Sequence, residues 1–104
     1  MFNEKNIEIL SAHITVAHHI KGRIRYKIDP KIQNFKNEIN LEAFEGLDKK
    51  IDGIRQVSIN KLAKSLTIEY SHTVFEQSFW EELAVSKDYA RIAEKLNNLI
   101  SWIS

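Results

Sequence analysis

The adjacent histidines His18 and His19 are the side chains of this sequence best suited to binding a metal. Neutral imidazole is a ligand of zinc, copper, nickel and haem iron. Successive side chains of a strand point to opposite faces, so the two rings cannot chelate one ion together. We take His19 as the first candidate ligand for a transition metal or haem and His18 as the second. The simpler alternative is that each is an ordinary edge or core histidine.

A row of cations follows the histidines. Arg23, Arg25 and Lys27 occupy alternate positions, which places them on one face of a strand. The same odd-numbered alternation assigns His19 to that face. The row is a candidate surface for an anion or a protein partner, and a solvated sheet face is the simpler alternative. We expect no nucleic-acid binding, because no aromatic side chain for base stacking falls on that face.

The composition excludes several classes of chemistry. The 104 residues include no cysteine, which excludes disulfides, thiolate metal sites, iron–sulfur clusters and cysteine nucleophiles. There is no glycine-rich phosphate loop or serine-nucleophile motif, so we assign no catalytic residue and expect no enzyme. No apolar run approaches the roughly 20 residues of a transmembrane helix, and the first residues lack a signal-peptide pattern. We therefore expect a single cytoplasmic domain over residues 1–104.

The elements that would position these side chains follow from periodicity. Alternation predicts one long strand over residues 14–28, in which Gly22 marks a bulge, a bend or a hairpin turn. Asp29 and Pro30 predict the start of a helix, and its apolar stripe continues to residue 51.

The second half of the chain predicts a hairpin and two helices. Apolar and polar residues alternate over 56–60 and 65–70, with a tight connection between them. A capping box from Thr73 to Glu76 predicts one helix, and a second begins at about Asp88. The predicted order is β-α-β-β-α with an extra C-terminal helix, an α+β arrangement of the ferredoxin-like type with its fourth strand missing. A missing strand would leave a sheet edge uncovered, and because dimerisation would cover it we expect a homodimer.

Three segments resemble the heavy-metal-associated (HMA)-like domains that precede metal-transporting P-type ATPases and also occur as small stand-alone bacterial proteins. They are HIKGRIR at 19–25, GIRQVSIN at 53–60 and AKSLTIEY at 63–70. Their order and spacing match the family, so the resemblance implies a ferredoxin-like core over 13–70, followed by C-terminal helices over 73–104.

The resemblance also has a limit. Metal-carrying relatives place two cysteines in the loop after the first strand, whereas residues 28–32 here are Ile-Asp-Pro-Lys-Ile. A thiolate site for monovalent copper or zinc therefore does not carry over.

The resemblance implies a metal-homeostasis role: a non-catalytic accessory in transition-metal or haem handling, with a metal-transporting ATPase or another protein as partner. The alternative is an adaptor that binds no metal and docks through its sheet face or its C-terminal helix.

Overall fold

Two hairpins form the sheet at the centre of the protein. β1 (Ile14–Ile20) and β2 (Arg23–Ile28) form the first, and β3 (Ile54–Asn60) and β4 (Ser65–Tyr70) form the second. β2 pairs with β4, so the strand order is β1-β2-β4-β3, with antiparallel pairing throughout. The computed structural model describes residues 4–38 and 46–99 of this α+β protein.

Three helices contribute to one hydrophobic core with the inner face of the sheet. They are α1 (Glu4–Ala12), α2 (Gln77–Val85) and α3 (Tyr89–Asn98). In β2 the even-numbered side chains are buried and the odd-numbered ones exposed, as a strand with one covered face requires. The largest buried side chains are aromatic: Trp80, Tyr26, Tyr70 and Phe75.

The chain reverses at Gly22, which confirms the hairpin turn among the three alternatives for this glycine, and the prediction of one uninterrupted strand over 14–28 is wrong. Gly22 has a φ of +85° and lies in the two-residue turn between β1 and β2. The half of the predicted strand before Gly22 folds back as β1 and pairs along β2. The prediction of a missing fourth strand is therefore also wrong, because β1 supplies a strand at that edge.

The N-terminal helix α1 was not expected from the sequence. Ile7, Ile9 and Leu10 are its buried residues. Ile7 and Leu10 have helical spacing, but Ile7 and Ile9 fit a strand equally well, so periodicity over nine residues does not distinguish the two.

The connection from β2 to β3 begins as predicted but continues differently. The Asp29 carboxylate accepts a hydrogen bond from the Lys31 backbone N–H at 2.9 Å, which confirms the helix start. The helix is a 3₁₀-helix, Pro30–Phe35, and a second 3₁₀ turn spans 46–49. A continuous helix to residue 51 is thus not formed, and residues 39–45 of that prediction lie outside the described ranges.

The C-terminal half is closer to expectation. The hairpin of β3 and β4 is confirmed, and α3 is capped by Asp88, whose carboxylate accepts from the Arg91 backbone N–H. The capping-box prediction is wrong, because the Thr73 hydroxyl bonds to that of Ser71 and α2 begins only at Gln77. Residues 100–104 of the predicted last helix lie outside the described ranges.

Within the part of the chain that the structure describes, no helix has the length and apolar character needed to cross a membrane.

Candidate functional site

A bulge in β1 decides which way each histidine points. The register of β1 against β2 shifts between Val16 and His18. After the shift, His19 pairs with Ile24, whose side chain is fully buried, and His18 pairs with Arg25 on the exposed face. The prediction that the two rings point to opposite faces is confirmed. The prediction that His19 shares the cationic face is wrong, because an inserted residue reverses the alternation beyond it.

The His19 ring is held between a phenol and a carboxylate. Its side chain is only 4% exposed. Nε2 lies 2.7 Å from the hydroxyl of Tyr70, and Nδ1 lies 3.1 Å from Oε1 of Glu81. In the neutral ring these partners assign Nδ1–H as the donor to the carboxylate and Nε2 as the acceptor from the phenol. Both nitrogens are therefore engaged.

Three separate elements bring this group together. His19 is near the end of β1, Tyr70 ends β4, and Glu81 lies in α2. The hydroxyl of Tyr26 in β2 donates to the carbonyl of Trp80, and this bond fixes α2 against the sheet beside Glu81. Sequence reasoning missed Tyr70 and Glu81 as partners of His19. They are 51 and 62 residues away along the chain, and no local spacing signals such a contact.

Burial disfavours ionisation of the two phenols, Tyr26 and Tyr70. It raises the pKa of Tyr70 above its ordinary 10.0; the nearby Glu81 carboxylate adds to this, and a hydrogen bond with the Gly22 backbone opposes it. Burial raises the pKa of Tyr26 well above 10.0, with smaller contributions from Tyr70 and Glu81. At neutral pH and without a bound metal, both hydroxyls are therefore hydrogen-bond donors.

The distance between the imidazole nitrogen of His19 and the carboxylate oxygen of Glu81 also suits two ligand atoms that bind one metal ion. Two ligand atoms that each bind zinc at about 2.1 Å lie roughly 3.0–3.4 Å from each other when the ligand–zinc–ligand angle is between a right angle and the tetrahedral value. The observed separation of Nδ1 and Oε1 is 3.1 Å. The Glu81 side chain is 53% exposed, so solvent reaches this pair from its side.

The described residues of one chain do not supply a complete set of metal ligands. The described residues contain no cluster of three or more His, Cys, Asp and Glu side chains that could hold a metal ion. A thiolate site does not fit, because the sequence has no cysteine. The residues present offer one imidazole and one carboxylate, with Tyr70 placed to orient the ring from its other nitrogen.

The other two histidines do not complete the site. The Nδ1–H of His13 donates to the Ile9 carbonyl at 2.6 Å, and the ring packs against Phe35. His72 lies in a separate surface depression with Glu82 and Arg91.

The predicted cations lie together on the exposed face of the sheet. Arg23 is opposite Glu69, Arg25 is opposite Thr67, and Lys27 is opposite Ser65 in the register with β4. All three cations are exposed. Among the described residues, no carboxylate lies within salt-bridge distance of these three side chains, and this includes Glu69.

A comparison with protein-family models finds one match that covers nearly the whole chain. The family described as heavy metal associated domain 2 matches residues 2–101. No curated protein matches, and no solved structure matches.

Proposed function

Because the chain belongs to the heavy metal associated domain 2 family, we propose that it is a non-catalytic accessory in transition-metal handling that uses imidazole and carboxylate ligands. The observation that carries the proposal is the 3.1 Å approach of His19 Nδ1 to Glu81 Oε1. We also propose that the protein is cytoplasmic and that its fold is ferredoxin-like. In that fold the edge strand β1 takes the place of the family's fourth strand.

The donor chemistry selects the class of metal. Imidazole and carboxylate suit divalent zinc, nickel and copper, whereas monovalent copper prefers sulfur ligands. Haem is the second candidate, since one axial imidazole is sufficient for it. A divalent ion at Nδ1 of His19 would replace the proton on that nitrogen and keep Glu81 as its second ligand, with the ring proton on Nε2 and the Tyr70 oxygen as its acceptor. An axial bond to haem iron would instead displace Tyr70 or Glu81 from the ring, so these contacts favour the divalent ion.

A second molecule would complete the coordination. Two copies of this chain related by a twofold axis would contribute two imidazoles and two carboxylates, the four ligands of a tetrahedral site. A metal-transporting ATPase could supply the same missing donors. A shared metal site is thus the reason to expect a homodimer, since β1 already covers the sheet edge that a dimer was expected to cover.

The test is calorimetric titration of the purified protein with Zn²⁺, Ni²⁺ and Cu²⁺, and absorbance titration with haemin. We expect saturable binding of a divalent ion that is lost in His19→Gln. Tyr70→Phe should weaken binding about 10- to 100-fold, because it removes the partner that orients the ring. The matched control is His18→Gln, which removes the neighbouring imidazole on the opposite face and should leave the affinity unchanged.

The same titration distinguishes the partners. A stoichiometry of one ion per two chains, with a doubled mass in light scattering, supports the metal-bridged homodimer. One ion per chain without dimerisation supports completion by a different partner. If none of the three ions binds, or if His18→Gln and His19→Gln lose binding equally, the divalent-ion proposal is wrong. Haemin binding lost in His19→Gln would instead support the haem candidate.

A second candidate function is an adaptor that binds no metal. It is favoured by the three cations of β2, which are exposed and form no salt bridge with any described residue.

A further inference from the structure

We propose that the outer face of the sheet binds an extended acidic segment of a partner protein. The outer sheet face is the side that the helices do not cover. It consists of the odd-numbered residues of β2 and their neighbours on β4 and β3: Arg23, Arg25, Lys27, Ser65, Thr67, Glu69, Gln56, Ser58 and Asn60. This surface is distinct from the His19 site; the inference goes beyond the proposed metal function, rests on the adaptor candidate and names the ligand class for it.

The charge of this face selects a negative partner. Three cations stand against the single carboxylate of Glu69, although the whole protein has a net charge of only +1. An acidic ligand is thus attracted to one side of a nearly neutral molecule.

The spacing of the cations selects an extended ligand. Side chains two apart in a strand are separated by about 6.6–6.8 Å, so Arg23, Arg25 and Lys27 form a straight row with that repeat. An extended peptide with acidic residues at alternate positions has the same repeat. Each carboxylate can therefore meet one cation without either backbone bending.

The strands beside β2 provide neutral hydrogen-bonding groups on the same face. Across the sheet, Arg25 is followed by Thr67 on β4 and Ser58 on β3, and Lys27 is followed by Ser65 and Asn60. These hydroxyls and amides can bond to the polar groups of a bound segment. At the end of the β3–β4 hairpin, Leu62 is 97% exposed and borders the same depression, where an apolar side chain of the segment would pack.

A protein segment fits this face better than nucleic acid does. Proteins that bind single-stranded nucleic acid on a sheet stack the bases on aromatic side chains. Of the described aromatic residues, none lies on the outer sheet face; Tyr26 and Tyr70, the tyrosines of β2 and β4, are buried on the other side. The outer sheet face therefore offers charges and hydrogen bonds without a stacking platform.

The test uses a fluorescently labelled peptide of seven residues in which glutamate alternates with serine. Fluorescence anisotropy should show saturable binding that weakens as salt rises. Arg25→Gln and Lys27→Gln should each weaken it about three-fold, and the double variant about ten-fold. The matched control is Lys87→Gln, an exposed lysine between α2 and α3, which should leave binding unchanged.

Three outcomes would overturn the proposal. The first is no binding of the alternating peptide. The second is equally strong binding of a peptide with the same composition but its glutamates in one block, which would exclude recognition of the extended repeat. The third is tighter binding of a single-stranded thymidine oligonucleotide that the same two substitutions weaken. The metal titration is independent of these results, since Lys27→Gln keeps His19 and Glu81, and His19→Gln keeps the cationic row.

Discussion

The hydroxyl of Tyr26 shows how single residues hold the candidate site in place. It is buried inside the protein and donates to the carbonyl of Trp80, the residue that precedes Glu81 in α2. Tyr70 performs a similar task at Nε2 of His19. Both phenols act as donors only while they are protonated, so the bond that joins β2 to α2 and the bond that orients His19 each depend on one tyrosine proton.

This dependence predicts a loss of stability in alkaline solution. The pKa of Tyr26 is raised above 10.0 in the folded protein, mainly by burial. Above pH 10 the unfolded chain loses the phenolic proton while the folded protein keeps it, so the free energy of unfolding falls as the pH rises. Below pH 10 this contribution is fully present.

Urea unfolding at a series of pH values from 7 to 11 measures this effect. We expect Tyr26→Phe to cost about 1–3 kcal/mol at pH 7, because the hydrogen bond to Trp80 is lost. We also expect its free energy of unfolding to fall less steeply above pH 10 than that of the unchanged protein. Equal slopes for the two proteins would contradict the assignment of the alkaline loss to Tyr26.

At the scale of elements, a bulge in β1 and a glycine turn before β3 are the backbone features that matter most for the arrangement of the side chains. The bulge in β1 turns His19 toward the helices and leaves His18 with the cations. The turn before β3 depends on Gly53, which has a φ of +93° and lies against the segment that leads into α2. The bulge brings His19 to the side of the sheet where Glu81 lies, and the turn lets Gly53 approach Val74 and Phe75.

Replacing Gly53 with alanine should therefore destabilise the protein. A Cβ at this position would lie 2.6 Å from a side-chain atom of Val74 and 2.9 Å from one of Phe75, and the positive φ disfavours any side chain. We expect Gly53→Ala to lower the free energy of unfolding by about 2 kcal/mol or more. Gly46→Ala is the control, since a Cβ there has no neighbour within 4 Å. Similar urea midpoints for the two variants would contradict this account.

At the scale of the whole molecule, α1 closes the core on the inner face of the sheet. Its buried side chains belong to the same core cluster as those of the strands and of α2 and α3. The helix is only nine residues long, and short helices gain most of their stability from packing. The N-terminal residues are therefore part of the folded unit that carries both proposed surfaces.

Leu10→Ala tests this role of α1. The Leu10 side chain is 2% exposed, and truncation should cost about 2–5 kcal/mol because it leaves a cavity. Leu62→Ala makes the same substitution at a side chain that is 97% exposed, and its effect should stay within about 0.5 kcal/mol. The comparison is made by thermal or urea unfolding. A Leu10→Ala protein as stable as Leu62→Ala would show that α1 does not close the core.

The sequence by itself determined the local features of this protein. Alternation identified β2, β3 and β4 and the exposed cations, Asp29 and Asp88 marked helix starts, and three segments indicated the family. These signals are local, because they depend on residues that are neighbours along the chain. They also showed that His18 and His19 face opposite sides.

Only the tertiary structure decided the rest. The face to which His19 belongs depends on one unpaired residue in β1, and a single inserted residue reverses every later side chain without altering the local pattern. The contacts of His19 with Tyr70 and Glu81 form because the hairpins and α2 pack together, which brings residues 51 and 62 positions apart to within 3.1 Å. The fourth strand was likewise decided by pairing across the sheet, since backbone hydrogen bonds between strands join segments that no short stretch of sequence contains.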